Sequence, residues 1–472
     1  MHIPSRFAAQ AAAIQVQGEK IMDLLRRLGC FASVHEQAIF WILAVFYRIS
    51  MDFTYCFAVF PQAGYMTRPF YSSAFRYAVS FVLYLLLFAS LPKKEKGGVI
   101  FSIHLQFAYM VAPILTLYAF SDMSSRYTLM IFACILLENL VIFRPLRITE
   151  PVRIKGIQNY VTVMLGILIV FSLIIPVLYN GFEGLKAFNF AYIYKMRANA
   201  SYPPGFGYLL DWIVKAVVPF SFLYFINMKK YRWAFIFAAF QVLFYMLTGS
   251  KFVLFVLIPT TFVYFVFKTG HCVKLMYLGL GMGCLIITLA YKLDCFAKTT
   301  SLINSIGFWA TALVAVRALF IPAGIKSYYY EFFSTQPKLF FSDGQIGRMF
   351  GLTYPYKKPS GFVINAFQQG VNQFDRSNSN TGYLGDSYAQ MGFAGMLLTS
   401  VLLALLLRGL RVYDRKETAP LLAALICIYI IILNDGALFT TLLTGGMLVT
   451  YLLIFIYFDK IEKGDSHGIQ RL

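Results

Sequence analysis

The chain has 472 residues, of which 59% are hydrophobic and 13% are charged, and its mean hydropathy is +0.67. Soluble domains carry about 25% charged residues, so the composition excludes a soluble protein of this length. The net charge is +20, but the basic residues lie in short runs between apolar stretches, as in the cytoplasmic loops of membrane proteins. This pattern excludes nucleic-acid binding and predicts a polytopic protein in a lipid bilayer.

The N-terminal segment 1–37 contains no apolar stretch of signal-peptide length before Phe40. Residues 19–31 have the pattern of a short amphipathic helix, which we expect to lie on the cytoplasmic face of the membrane. The segment is therefore predicted to be cytoplasmic and to remain attached.

Twelve apolar stretches follow, most of them near the roughly 20 residues that a membrane-spanning helix needs. They are 38–60, 71–91, 99–120, 127–143, 158–179, 208–227, 232–249, 251–267, 274–291, 382–407, 420–434 and 437–458. The chain is thus predicted to be all-α, with nine helices over 38–291, three over 382–458 and a cytoplasmic tail over 459–472.

Clusters of lysine and arginine follow the second, fourth, sixth and tenth spans, and Lys268 and Lys274 flank the turn after the eighth. Because such clusters stay on the cytoplasmic side, every even-numbered span is predicted to end there and both termini to be cytoplasmic. Residues 302–323 are also apolar enough to span, but a crossing there would move the basic loop 408–416 outside. We therefore expect 302–323 to dip into the outer face or to lie along it.

Two long outer segments result from this topology, 180–207 and 292–381. The second is predicted to be a large ordered extracytoplasmic loop, because long loops that are not linkers are usually functional. It contains nine basic and four acidic residues, a difference of +5. This charge fits either an anionic ligand at the outer face or a solvated loop that happens to be basic.

Three cations are candidates for binding an anion. Arg317 lies within an apolar helix, where a buried-looking charge marks either a site or a side chain that reaches the lipid headgroups. Arg197 precedes two prolines in a tyrosine-rich loop, which gives a weaker form of the same pattern. Lys251 lies in a tight turn whose amides could cradle phosphate, although a plain polar turn explains it nearly as well.

Asp386 stands about one turn inside the tenth span, within the polar and glycine-rich run 379–395 that opens this span. A carboxylate at that depth faces protein or water rather than lipid. It could serve as a general base, or as a first-turn acid that complements the helix dipole.

The seven cysteines include no CxxC pair, and no two of the five histidines have the spacing of metal ligands. We predict no metal site and no cofactor.

The runs NTGYLGDSYAQMGFAG (380–395) and VRALFIPAGIKSYYYEFFS (316–334) together resemble the bacterial oligosaccharide repeat-unit polymerases of the Wzy type. The resemblance covers roughly 248–400. It implies a membrane glycosyltransferase of GT-C-like architecture in the bacterial inner membrane, built with a large periplasmic loop. Such enzymes transfer a growing glycan from undecaprenyl diphosphate onto the next lipid-linked unit during O-antigen or capsule synthesis.

Within that resemblance, Arg317 and Asp386 match the family's two motifs and are the predicted catalytic residues. Residues predicted to bind substrate, most of them by loop location, are Arg197, Lys251, Tyr329, Arg348, Arg376, Asn380 and Tyr383. The implied partners are undecaprenyl-diphosphate-linked oligosaccharides, a chain-length regulator and a flippase. Arginines would stabilise the diphosphate leaving group, and a carboxylate would take the proton of the attacking hydroxyl.

Two other functions fit parts of the pattern. A related O-antigen ligase would use a histidine in its large outer loop, and 292–381 contains none. A flippase or transporter would suit the intramembrane charges Arg48, Asp52 and Glu138, but not a ninety-residue ordered loop or the absence of repeat symmetry. Sugar, linkage and stereochemical outcome stay open.

Overall fold

The computed structural model describes residues 36–63, 68–145, 156–181, 201–296, 305–344, 347, 349–370 and 378–468, with backbone only at 180 and 459–468. These residues form a bundle of helices. Fifteen helices are labelled here: Glu36–Ala63 (α1), Ala74–Ser90 (α2), Gly98–Phe120 (α3), Ser125–Ile142 (α4), Ile157–Tyr179 (α5), Phe206–Asn227 (α6), Tyr231–Thr248 (α7), Lys251–Lys268 (α8), Cys272–Phe296 (α9), Ile306–Thr335 (α10), Ser360–Gln369 (α11), Tyr383–Tyr413 (α12), Ala419–Asp435 (α13), Leu438–Leu443 (α14) and Met447–Gly468 (α15).

Ten of these described helices are long and apolar enough to cross a membrane, and α2, α13 and residues 447–458 of α15 are shorter apolar helices. Ten of the twelve predicted spans each coincide with one helix, and the other two, 382–407 and 437–458, are interrupted. The prediction of an all-α polytopic membrane protein is therefore confirmed for the described part of the chain. The last span differs, because Gly446 has φ +83° and the chain turns there between α14 and α15.

The basic loops gather at one end of the bundle, called the basic end below. Asp414 accepts from the backbone amide of Gly98 at 2.6 Å, and Arg411 donates to the carbonyl of Ile142 at 2.7 Å. Lys274, at the start of α9, pairs with Glu36 at the start of α1 (3.2 Å). The starts of α1, α3 and α9 and the ends of α4 and α12 thus lie together, which is the arrangement that alternating spans require.

At the opposite end, called the loop end, Arg68 joins three segments. Its guanidinium lies 2.5 Å from the carboxylate of Asp122 and 2.6 Å from that of Glu331, and it donates to Ser327 at 2.9 Å. Only 5% of Arg68 is exposed, and this burial lowers its pKa, but its two carboxylate partners together outweigh the burial and raise the pKa above the ordinary value. These contacts fasten the loop after α1 and the loop after α3 to α10.

Helix α10 contains the apolar stretch that the sequence places outside the membrane core. Near its start, the amide of Phe308 donates to Asp294 at 3.2 Å and its carbonyl accepts from Gln62 at 3.0 Å. Near its finish, Glu331 contacts Arg68. Thirty residues extend about 45 Å, yet both parts of α10 contact the loop end. These contacts favour the predicted position along the outer face, although length and composition alone would also allow a crossing.

The predicted continuous span 382–407 is broken in the structure. Met391 (φ −140°) and Gly392 (φ +63°, ψ −147°) are not helical. Thr399 donates to the hydroxyl of Ser387 at 2.8 Å, and a Cβ on Gly395 would lie 2.4 Å from the Ser387 carbonyl oxygen. In a straight helix, residues 387 and 399 would be about 18 Å apart. Residues 383–390 therefore fold back along the rest of α12, and we call them the folded-back helix.

Candidate functional site

A cleft of about 910 Å³ opens at the loop end between the end of α1, the middle of α10, α11 and residues 378–379. We call it the arginine cleft. Its apolar wall comes from α1 and α10, and is formed by Ala63, Phe308, Trp309, Ala312, Leu313, Val316, Ile321 and Ile325. Its polar lining residues are Gln62, Arg317, Asn365, Gln368, Gln369, Asn378 and Ser379.

Arg317 is the charged residue among those lining the cleft. The sequence predicted a cation buried in an apolar helix, but the side chain is exposed to the cleft. It lies in a ten-residue π-helical stretch of α10, Thr311–Phe320, and such stretches are frequent at functional sites. Asp435, at the end of α13, is close enough to Arg317 and to Lys326 to interact electrostatically with both.

Lys326 holds the end of α13 in place beside the cleft. Its fully buried ammonium donates to the backbone and side-chain oxygens of Asn434 at 2.5 and 2.9 Å, and to the carbonyl of Pro322 at 3.2 Å. This position fixes Asp435 relative to α10. Lys326 is thus occupied in supporting the site, whereas Arg317 is directed into the cleft.

A glutamine of the folded-back helix bridges two carboxylates, one on the same helix and one in a neighbouring loop. The side-chain amide of Gln390 donates to Asp343 at 3.2 Å and contacts Asp386 at 3.4 Å. The backbone amide of Phe341 donates to the Gln390 side-chain oxygen at 2.6 Å, and that of Phe340 donates to the Gln390 carbonyl at 3.1 Å. Asp386 is partly buried and Asp343 is exposed. The bridge places a second acid, 43 positions earlier in the chain, next to the predicted base.

The loop that carries Asp343 is strained. Phe340 and Phe341 have φ of +48° and +64°, a region that non-glycine residues rarely adopt. Such conformations persist where surrounding contacts impose them, often at functional sites. Here the imposing contacts are the hydrogen bonds to Gln390 and that from the Leu339 amide to the Ala389 carbonyl (3.0 Å).

Lys338 and Tyr388 join the same loop to the folded-back helix. The Lys338 ammonium lies 3.8 Å from the centre of the Tyr388 ring and donates to the Phe333 carbonyl. Burial lowers the pKa of Lys338 to about 8. The Tyr388 hydroxyl also lies 3.0 Å from the hydroxyl of Ser334. The end of α10 and the loop at Lys338 are thus both attached to the folded-back helix.

A second cleft of about 510 Å³ contains Asp343 and is called the Asp343 cleft. Its other lining residues include Tyr354, Lys357, Lys358 and Ser360. Burial and the negative charge of Asp343 raise the pKa of Tyr354. Ser360, the first residue of α11, lines this cleft and Asn365, five residues later, lines the arginine cleft, so the two clefts meet the same helix about 8 Å apart along its axis.

The tyrosines predicted to bind substrate are both buried. Tyr329 is 3% exposed and donates to the Ser379 carbonyl at 3.1 Å, between the two clefts. Tyr383 is fully buried and donates to the carboxylate of Glu138 at 2.5 Å. In this structure both support the site instead of facing a substrate. Asn380 is exposed and accepts from Asn378 at 2.8 Å, at the rim of the arginine cleft.

Lys251 lies elsewhere on the bundle. Its neighbours Ser250 and Phe252 line a separate cleft of about 830 Å³ that also contains Asp211 and Lys215. The amides of Gly249 and Ser250 are already bonded within the turn, at 2.7 and 3.3 Å, which argues against a phosphate cradle made of these amides. The predicted Arg197, Arg348 and Arg376 lie outside the described residues, as does most of segment 1–37.

Sequence reasoning missed the carboxamides of the arginine cleft. Asn365, Gln368 and Gln369 have spacings of three and four residues, so they share one face of a helix. That spacing was available as a signal in the sequence, whereas the approach of Gln62 from α1 was not. Glu138 was noted only as a charge suited to transport, and its contacts with Tyr383 and with Gln106 (2.8 Å) are supporting ones.

Comparison of the chain with protein-family models, with curated proteins and with solved structures finds no match. The resemblance to the repeat-unit polymerases therefore stays a prediction from the two sequence runs.

Proposed function

We propose that this protein is a membrane glycosyltransferase that polymerises oligosaccharide units carried on undecaprenyl diphosphate. The observation that carries the proposal is the arginine cleft, which combines an apolar wall, a guanidinium and several carboxamides beside a bridged pair of carboxylates. An amphiphile with a prenyl chain, a diphosphate and sugars presents these same chemistries in sequence.

The proposed reaction assigns a role to each group. A hydroxyl oxygen of the acceptor unit attacks the anomeric carbon of the donor glycan, and the bond from that carbon to the diphosphate oxygen breaks. The diphosphate leaves with the electron pair of that bond, and Arg317 stabilises its charge through bidentate hydrogen bonds. Asp386 accepts the hydroxyl proton, and Asp343 lies beside it through Gln390.

The position of α11 supports a reaction of two substrates. A donor in the arginine cleft and an acceptor in the Asp343 cleft would bind along the same helix, about 8 Å apart at its first turns. Their reacting sugars would extend toward each other there, near Tyr329 and Ser379. A polymerase needs two such places because both of its substrates are lipid-linked.

The intramembrane charges that would suit a transporter are bonded to each other and to neighbouring helices. Arg48 lies 2.9 Å from Asp52 within α1, and also donates to Ser80 of α2 at 2.9 Å. Asp52 accepts from Thr116 of α3 at 2.7 Å. These groups fasten three helices together, which favours an enzyme over a transport pathway lined by the same charges.

Deletion of the gene in the source cell distinguishes the alternatives. Loss of a polymerase leaves single repeat units on the surface glycan, because units are still exported and attached. Loss of a flippase leaves no units at the surface, and loss of a ligase leaves polymer on the lipid carrier. Either of the last two results would contradict the proposal.

A further inference from the structure

Two buried polar atoms at the arginine cleft have no hydrogen-bond partner among the described residues. They are the side-chain oxygen of Gln62 and the side-chain nitrogen of Asn365. Gln62 uses its nitrogen to bond the Phe308 carbonyl (3.0 Å), so its acceptor is left unused. Asn365, which is 8% exposed, uses its oxygen to accept from Gln369 at 3.3 Å and Ser379 at 3.4 Å, so its donor is left unused.

The arginine cleft thus has an unused acceptor on α1 and an unused donor on α11 among its lining residues. A hydroxyl group donates one hydrogen bond and accepts others, so the hydroxyls of a sugar unit can satisfy both atoms. Buried polar groups without partners are costly, and a ligand that satisfies them gains affinity. A diphosphate is a different case, because its oxygens only accept and would be repelled by the Gln62 oxygen.

The lining of the cleft combines three chemistries. Trp309 and Leu313 are 47% and 54% exposed, and they provide apolar surface on α10. Arg317 is the charged residue that the same helix contributes to the lining, and the carboxamides come from α1, from α11 and from Asn378. A ligand with an apolar chain, an anionic group and hydroxyls has a part for each of these surfaces.

We infer that Gln62 and Asn365 form a subsite for the hydroxyls of the sugar that adjoins the diphosphate of a lipid-linked donor. The inference rests on the proposed function and names the part of the substrate that these two residues recognise. They bind sugar, while Arg317 binds phosphate.

The test compares two probes on the purified full-length protein in lipid nanodiscs. One probe is farnesyl diphosphate, and the other is farnesyl diphosphate that carries one glucose residue. Two added hydrogen bonds predict that the glucose-bearing probe binds about 5- to 150-fold more tightly. The ratio of the two dissociation constants isolates the sugar contribution, because prenyl and phosphate contacts are common to both probes.

Asn365→Leu removes the unused nitrogen and leaves no side-chain atom that can bond a sugar hydroxyl. We expect it to abolish most of the preference for the glucose-bearing probe without adding charge to the cleft. Gln62→Met should lower the preference in the same way. Asn159→Leu, on the exposed surface of α5, is the matched control and should retain the full preference.

An equal affinity for the two probes, or an unchanged ratio in both variants, would overturn the subsite. If only water satisfies the two atoms, the ratio of the dissociation constants is unchanged in both variants. In that case both probes would still bind in an Arg317-dependent way and the proposed function would stand. If neither probe bound the unaltered protein, both the subsite and the proposed function would be contradicted.

Discussion

At the scale of single residues, the Gln390 side chain holds Asp343 and Asp386 beside each other. Asp386 could be selected from the sequence, because an acid inside an apolar stretch is rare. Asp343, its neighbour in the structure, could not be selected in this way. It lies in a loop with several other charged residues, and the bridge depends on the fold. Arg317 was also found from its apolar surroundings, but its exposure to a cleft depends on the path of α10.

The Arg317→Lys variant tests the phosphate-binding role. Lysine keeps the charge but loses the planar fork that binds two phosphate oxygens. Hydrogen bonds to charged groups contribute about 1.5–3 kcal/mol, so we expect kcat/KM for chain extension to fall about 10- to 100-fold. Arg126→Lys, at the exposed start of α4 on the same end of the bundle, is the control. Normal extension by Arg317→Lys at a normal protein level would rule out this role.

At the scale of elements, ten of the predicted spans are single helices, because a long apolar run identifies each of them locally. The fold-back at 391–392 could not be predicted in this way, because hydropathy marks 382–407 as one segment and does not locate a turn within it. The turn is imposed by distant contacts, such as those of Ser387 with Thr399. The clefts likewise depend on how α10 and α11 lie across the bundle, which hydropathy does not specify.

Gly392→Ala tests whether the fold-back matters. Gly392 has a backbone conformation that is almost restricted to glycine, and a side chain there costs about 1–3 kcal/mol. We expect a lower unfolding temperature and reduced chain extension, because the folded-back helix carries Asp386 and Gln390. Gly409→Ala, later in α12 and with no atom within 4 Å of its added Cβ, should leave both unchanged. Equal behaviour of the two variants would show that the turn is unimportant.

At the scale of the whole molecule, the structure brings the basic loops to one end and the clefts to the other. The sequence supplies the orientation, which places the loop end outside. Reporter fusions at Phe341 and Lys357 should therefore both report the extracytoplasmic side, since α10 is predicted not to cross. A cytoplasmic signal at both positions would mean that α10 spans the membrane.

The central claim is that this chain forms glycosidic bonds with Asp386 as the base. The most direct measurement is extension of lipid-linked repeat units in vitro by the purified protein and by Asp386→Asn, with Glu417→Gln at the basic end as the control. The unaltered protein should build polymer, and Asp386→Asn should be slower by about 10²- to 10⁴-fold, the usual contribution of a general base. An acid that only complements the helix dipole contributes about 0.3–1 kcal/mol of stability, so its loss would leave the rate within a few-fold. That outcome would dismiss Asp386 as the base, and no extension by the unaltered protein would contradict the function itself.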